Sequence, residues 1–191
     1  MLFPNFVKHY EKLMESTFRK KVIVYQFSKG GLTSAQILNM LADPFVRHAI
    51  EHADIITISA GGNDLMKAGR RFLFSRDDRI IESACEKALA NIREMILEIM
   101  MIKSGVNSPY LIRFVGLYNP FPFLPASDYW IRTFNQKLMS FSDVHMAVAD
   151  IYSIFKKEGT RLLSFDGFHP NQRGYQLIAE TLHCLGYSPL I

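Results

Sequence analysis

The stretch DIITISAGGND, Asp54 to Asp64, carries an apolar run straight into two glycines, an asparagine and an aspartate. A short, nearly continuous apolar run bounded by turn residues reads as a strand buried on both faces, the kind found in parallel sheets. The glycines end it, and the polar residues then stand in a loop at the strand's carboxyl end, where ligands of such sheets bind.

Working outward, the same grammar repeats. VIVYQF, Val22 to Phe27, reads as an earlier buried strand and is followed by the loop SKGGLTS. YLIRFVGLY, Tyr110 to Tyr118, is a third strand and VHMAVAD, Val144 to Asp150, a fourth. Between them lie helical patterns. Phe6, Val7, Tyr10, Leu13, Met14 and Phe18 form one face of a helix over about 6–18. Thr33 or Ser34 caps a helix beginning near Ala35, and Asp43-Pro44 restarts one through about Glu51. A long helix runs from about Arg79 to Lys103 and stops at Gly105. The proline-rich aromatic loop NPFPFLPAS, Asn119 to Ser127, ends at a cap, Ser127 or Asp128, that opens a helix through about Phe141. A short helix follows around Tyr152 to Lys156, and a final helix runs from about Asn171 to Leu185. Strands alternating with helices predict an α/β protein of one domain, residues 1–191, with helices on both faces of a parallel sheet.

Composition narrows the function classes. The chain has 191 residues, 49% hydrophobic and 21% charged, ordinary for a globular domain. Its 22 basic and 18 acidic side chains leave a net charge of +4, scattered along the sequence, which reads as a solvated face and not as a nucleic-acid footprint. Cys85 and Cys184 both fall in helical apolar patterns and read as buried small hydrophobes without a bridge. No apolar run reaches the ~18–20 residues of a membrane span, and MLFPNFVKHYEKLMES lacks the apolar core of a signal peptide. The chain as written is expected to be soluble.

Three loops could carry chemistry. In Asp166-Gly-Phe-His169-Pro-Asn171, a carboxylate three residues before a histidine can accept from Nδ1–H, leaving Nε2 as a general base. The bland reading is a histidine packed at a helix start, with Asn171 as its cap. In Gly61-x-Asn63-Asp64, the side-chain amide of Asn63 can donate to a developing oxyanion; the alternative is an ordinary turn. Gly31 can offer a backbone N–H at another strand exit, although glycine pairs in such loops are common. His48 and His52 share one helical face and could ligate a cation, yet two ligands do not close a site, and a solvated face is the simpler reading. His9, His145 and His183 have no motif around them.

Taken in order, Gly31, then Gly61-x-Asn63-Asp64, then Asp166-x-x-His169 resemble the second, third and fifth blocks of the SGNH (GDSL-type) ester hydrolases. GLTSAQIL and ITISAGGNDLMK are similar to the lipase/acylhydrolase branch of Gram-positive bacteria. The resemblance implies a three-layer α/β/α, flavodoxin-like fold that cleaves carboxylic esters with no metal or cofactor. It implies His169 as base, Asp166 as its orienting acid, and Gly31 and Asn63 as oxyanion donors, with Gly61, Asp64 and Asn171 in support. The implied partner is a small ester or lipid substrate, with no nucleic acid and no stable membrane insertion.

The chain departs from the family's first block, Gly-Asp-Ser at the end of the first, central strand. No serine precedes the first helix. Ser28, Ser34 and Ser59 flank the other motifs but suit capping and packing better than nucleophilic attack, Ser28 being the best of poor candidates. The expectation is a polypeptide without its nucleophile and hence inactive as given, or alternatively a non-catalytic descendant that binds a ligand or partner through the cleft. The central strand is also expected to be missing, which leaves open an originally longer protein, strand rearrangement, or a homodimer by strand pairing or exchange. Any export signal would lie in the absent segment, so secretion or cell-surface attachment stays open. The loop Tyr118 to Leu124 is equally readable as a wall for an acyl chain or as a core anchor.

Overall fold

The computed structural model describes residues 5–191. In chain order its elements are α1 (Phe6–Phe18), α2 (Ser34–Met40), α3 (Pro44–His52), β1 (Ile55–Ile58), α4 (Gly62–Ser75), α5 (Arg79–Ser104), β2 (Leu111–Val115), α6 (Pro125–Met139), β3 (Met146–Ala149), α7 (Ile151–Glu158), a 3-10 turn (Gly159–Leu162) and α8 (Gln172–Cys184). The strands form one parallel sheet in the order β1-β2-β3, with Ile55 opposite Leu111 and Ile112 opposite Met146.

The sheet divides two apolar layers because side chains alternate along a strand. Ile112, Phe114, Met146 and Val148 face α2 to α6, joining Ile92, Ile99, Phe134 and Leu138. Leu111, Val115 and Ala149 face the other way, against Tyr10 and Met14 of α1, Phe155 of α7 and Ile178 and Leu182 of α8. The three-layer α/β/α architecture expected from the alternating pattern is therefore present. Helix starts follow local chemistry: Asp43 accepts from Phe45 N–H at 2.8 Å ahead of Pro44, and Asn171 accepts from Gly174 N–H at 3.0 Å ahead of α8.

Several expectations are corrected. Val22–Phe27 is not a strand. Among the described residues it has no ladder partner; Val22 packs partly against the core beside α1 and α8, while Ile23 is 79% and Tyr25 70% exposed. Strand propensity needs a neighbouring backbone to become a strand, and among the described residues β1 pairs with β2 alone. Gly62, Asn63 and Asp64 belong to the first turn of α4, not to a loop; Gly61, at φ 98°, turns the chain into that helix. Leu124, not Ser127 or Asp128, precedes α6, and Ser127 Oγ instead donates back to the Leu124 carbonyl at 2.7 Å. Cys85 is buried, with its thiol pushed up to about 11 by burial, whereas Cys184 is exposed; both are free. Among the described residues no helix is long and apolar enough to cross a membrane.

Candidate active site

The loop between the 3-10 turn and α8 is drawn tight by its own backbone. Ser164 N–H donates to the His169 carbonyl at 2.7 Å, Asn171 N–H to the Leu162 carbonyl at 2.8 Å, and Leu163 pairs with Pro170 in an antiparallel bridge. Asn171 adds two bonds through its amide, to the carbonyls of Arg161 at 2.7 Å and Leu163 at 3.0 Å. Gly167 takes φ 66° at the bend, a conformation that suits glycine. This turn places His169 Nδ1 2.7 Å from Asp166 Oδ2. A carboxylate only accepts, so Nδ1 carries the proton and Nε2 is left with its lone pair. The other oxygen, Asp166 Oδ1, accepts from the amides of Phe168 and His169 at 2.9 and 3.0 Å. The His169 side chain first, and these amides next, hold the Asp166 carboxyl down at about 2, so it stays ionised at neutral pH.

Tyr118, just beyond β2, ties that loop to the sheet. Its hydroxyl donates to the Phe168 carbonyl at 2.8 Å and its ring stacks on Phe155 with centroids 4.4 Å apart. His169 therefore stands at the carboxyl end of β2, and Gly61 to Asp64 stand at the carboxyl end of the adjacent parallel strand β1. Around the histidine the aromatic loop contributes Phe121, 5.9 Å from Phe168, whose ring meets His169 edge-on at 4.8 Å. Phe123 is largely exposed. The segment after β2 thus anchors through Tyr118, and its Phe121 packs against Phe168, the ring that meets the imidazole.

On the β1 side, Asn63 Nδ2 donates to the Leu32 carbonyl at 2.9 Å. An amide has two N–H bonds; one locks the Gly31 loop in place and the other remains. Gly31, at φ 82°, is exposed, and its N–H makes no hydrogen bond among the described residues. Asp64 grips Ser34 with both oxygens, accepting from its N–H and its hydroxyl, each at 2.8 Å. Asn91 of α5 donates to the same hydroxyl at 2.9 Å. The buried Ser34 is consumed as a rivet between three helices, which answers its place among the serine candidates.

Ser28 and Ser59 are exposed, and Ser28 Oγ accepts from Gln26 Nε2 at 2.7 Å. Among the described residues Asp166 is the hydrogen-bond partner of the His169 ring, and no serine hydroxyl reaches its Nε2. His48 and His52 have ring centroids 4.4 Å apart, and Glu51 joins them in an exposed cluster. His52 Nδ1 lies 2.9 Å from the His48 carbonyl. This cluster closes α3 at the amino end of β1, the opposite end of the sheet from His169.

Sequence reasoning missed Asn135 of α6. It is buried, accepts from Leu117 N–H at 2.8 Å and donates to the Leu117 carbonyl at 2.7 Å. That double bond satisfies the main chain where it leaves β2. An asparagine inside an otherwise amphipathic helix was the available signal.

A parallel sheet between two helical layers, with the Asp166–His169 pair at the carboxyl end of its strands, is an α/β/α architecture of the kind found in GDSL-type esterases. The chain belongs to the GDSL-like lipase/acylhydrolase family, whose pattern matches residues 4–177. The spore germination lipase LipC of Bacillus licheniformis is 35% identical over 188 residues, covering 98% of this chain and 89% of that protein. The crystal structure of the lipase Lip_vut3 from a goat rumen metagenome has a TM-score of 0.97 at 34% identity, covering 100% of this chain and 91% of that one. The psychrotrophic esterase EstA from Pseudoalteromonas sp. has a TM-score of 0.61 at 16% identity, covering 94% and 84%, a likeness of fold.

Proposed function

We propose that this chain carries the acid–base and oxyanion half of a carboxylic ester hydrolase acting on a small ester or lipid. The observation that carries the reading is the 2.7 Å contact between His169 Nδ1 and Asp166 Oδ2, which leaves Nε2 free to take a proton. In this reading a serine hydroxyl attacks the ester carbonyl while passing its proton to Nε2, and Asp166 stabilises the imidazolium. The Gly31 N–H and the remaining Asn63 N–H receive the negative charge on the carbonyl oxygen; each such donor contributes on the order of 3 kcal/mol in the transition state. His169 then returns the proton to the leaving alcohol, and a water, giving its proton to Nε2, attacks the acyl-serine; the acid departs as the serine oxygen takes that proton back. Gly61, Asp64 and Asn171 support this set through the turn, the Ser34 clasp and the helix cap. Residues 5–191, sharing one sheet, form a single domain in this reading.

The reacting serine is the part that residues 5–191 do not bring to Nε2. Loss of a triad serine lowers turnover by about a millionfold, so polypeptide 1–191 alone is expected to hydrolyse p-nitrophenyl acetate at the background rate. Activity that vanishes in His169→Ala would overturn this expectation and reveal a serine within the chain. Reading the DNA upstream of the Met1 codon is the complementary test. A product from an in-frame upstream start ending a strand in Gly-Asp-Ser is expected to hydrolyse the ester and to lose that activity in His169→Ala. A product that binds esters without turnover supports the second reading, a non-catalytic cleft, which is favoured by the lack of a serine hydroxyl at Nε2 among the described residues.

The open edge of β1 and the unpaired segment Val22–Phe27 support a further proposal: both await a strand, from this polypeptide or from a second copy, making a homodimer by strand pairing or exchange.

A further inference from the structure

Five cations close together in the sequence, over residues 67–79, stand at the closed end of the α4–α5 hairpin. Lys67, Arg70, Arg71, Arg76 and Arg79 are all exposed, and none forms an ion pair among the described residues. Against them stand Asp77 and Asp78, so residues 67–79 carry 5 − 2 = 3 of the chain's net +4. Between the helices runs a groove of about 460 Å³ lined by Lys67, Arg71, Arg79, Lys87 and Asp64, the last already committed to Ser34. In the middle of this positive surface Phe74 is 92% exposed and Leu73 52%.

The hairpin's direction follows from its bonds. Near its carboxyl end α5 meets the amino end of β1, where Lys103 Nζ donates to the carbonyls of Glu51 and Ala53 at 2.8 and 3.0 Å. Asn91 meets Ser34 and hence Asp64, just past the carboxyl end of β1. From Asn91 back to Arg79 the helix therefore continues about 18 Å beyond that level, at ~1.5 Å per residue. The closed end projects beyond the carboxyl end of the strands, the end at which His169 stands, although α4 and α5 pack on the opposite face from α7 and α8.

The cations are hydrated and free to meet an anionic partner, whereas Phe74 and Leu73 keep large apolar surface in water that nothing within the described residues covers. A negatively charged bilayer satisfies both: its headgroups meet the arginines and its acyl boundary takes the rings and methyls. A polyanion such as nucleic acid would use the cations but leave Leu73 in water.

We propose that the tip of the α4–α5 hairpin is a docking surface for anionic membranes, with Phe74 and Leu73 entering the boundary between headgroups and acyl chains. The docking stands on this geometry; its use, holding the carboxyl end of the sheet over lipid esters, rests on the hydrolase reading.

Co-sedimentation of the full chain with vesicles of phosphatidylcholine, with and without phosphatidylglycerol, tests it without any ester substrate. Failure here leaves the hydrolase reading intact, and an inactive esterase assay leaves docking intact. Binding is expected to the phosphatidylglycerol vesicles and to weaken with salt. Arg70→Gln/Arg71→Gln is expected to lower partitioning roughly 25-fold, about fivefold for each cation. Phe74→Ser is expected to lower it roughly tenfold or more. Circular dichroism melts check that these exposed substitutions leave the fold in place. Equal binding to neutral vesicles, no binding, or binding indifferent to both variants overturns the proposal. So does a single-stranded oligonucleotide that displaces the vesicles while Phe74→Ser changes neither interaction.

Discussion

Asp64 holds Ser34 with both carboxylate oxygens, at 2.8 Å from its N–H and 2.8 Å from its hydroxyl. The pair fastens the start of α2 to the first turn of α4, and so fixes the Gly31 loop relative to Asn63. Asp64→Ala would strip both acceptors from a fully buried serine. A buried donor left without a partner costs ~1–3 kcal/mol, so urea denaturation should show a loss of about 2 kcal/mol or more. Asp64→Asn keeps an acceptor and should cost less. Equal losses for the two variants would mean that the clasp contributes through shape alone.

Acid should titrate the Asp166–His169 loop in a defined window. The Asp166 carboxyl sits at about 2 in the folded protein, against an ordinary 3.8, because the His169 side chain and two amides favour its charged form. A depressed acid contributes stability that is complete above its unfolded value and disappears as pH falls through its folded value. The contribution from Asp166 is therefore full above about pH 4 and gone below about 2. Carboxyl-carbon NMR should follow this titration directly, and His169→Ala should move it upward. An Asp166 that titrates near 4 in the intact protein would show the pair to be broken in solution.

Two glycines of α4 should respond oppositely to alanine. At Gly61 the backbone has φ 98°, and an added Cβ would run into the buried Phe134 ring. Strain and overpacking together predict a loss of about 2–5 kcal/mol for Gly61→Ala. At Gly69, inside the helix, an added Cβ meets open space. There alanine should stabilise by ~0.5–1 kcal/mol through helix propensity. Thermal melts of the two variants side by side decide the matter, and a stabilised Gly61→Ala would refute the packing described at the β1 exit.

The open β1 edge and exposed Val22–Phe27 should make the polypeptide associate. Light scattering across a concentration series is expected to show growing mass. Ile23→Lys with Tyr25→Lys should suppress it, since charge on an unpaired strand discourages edge-to-edge pairing. A monodisperse monomer at every concentration would exclude pairing between copies.

Much of this protein was legible because the relevant contacts are short in sequence. The 3.6-residue apolar periodicity placed α1 and α5, and Asp43-Pro44 and Asn171 marked helix starts because a cap bonds within three residues of itself. The Asp166–His169 contact was readable for the same reason: both partners lie in one turn.

What sequence could not decide was whatever needs a distant neighbour. Val22–Phe27 has the composition of a strand, but a strand exists only beside another backbone, and none lies beside it among residues 5–191. The clasps of Ser34 by Asp64 and Asn91, and of Leu117 by Asn135, join residues far apart in the chain and leave no local pattern. Charge is divided between the two: the cations around Phe74 are adjacent in the sequence, over residues 67–79, but Lys87 joins Lys67 and Arg71 in one groove because α5 folds back along α4. Local backbone preferences thus determined the helices, the buried strands and the acid–histidine turn. Tertiary packing alone decided which extended segment found a partner, which polar groups were held, and that the exposed apolar tip of the α4–α5 hairpin stands beyond the carboxyl end of the sheet.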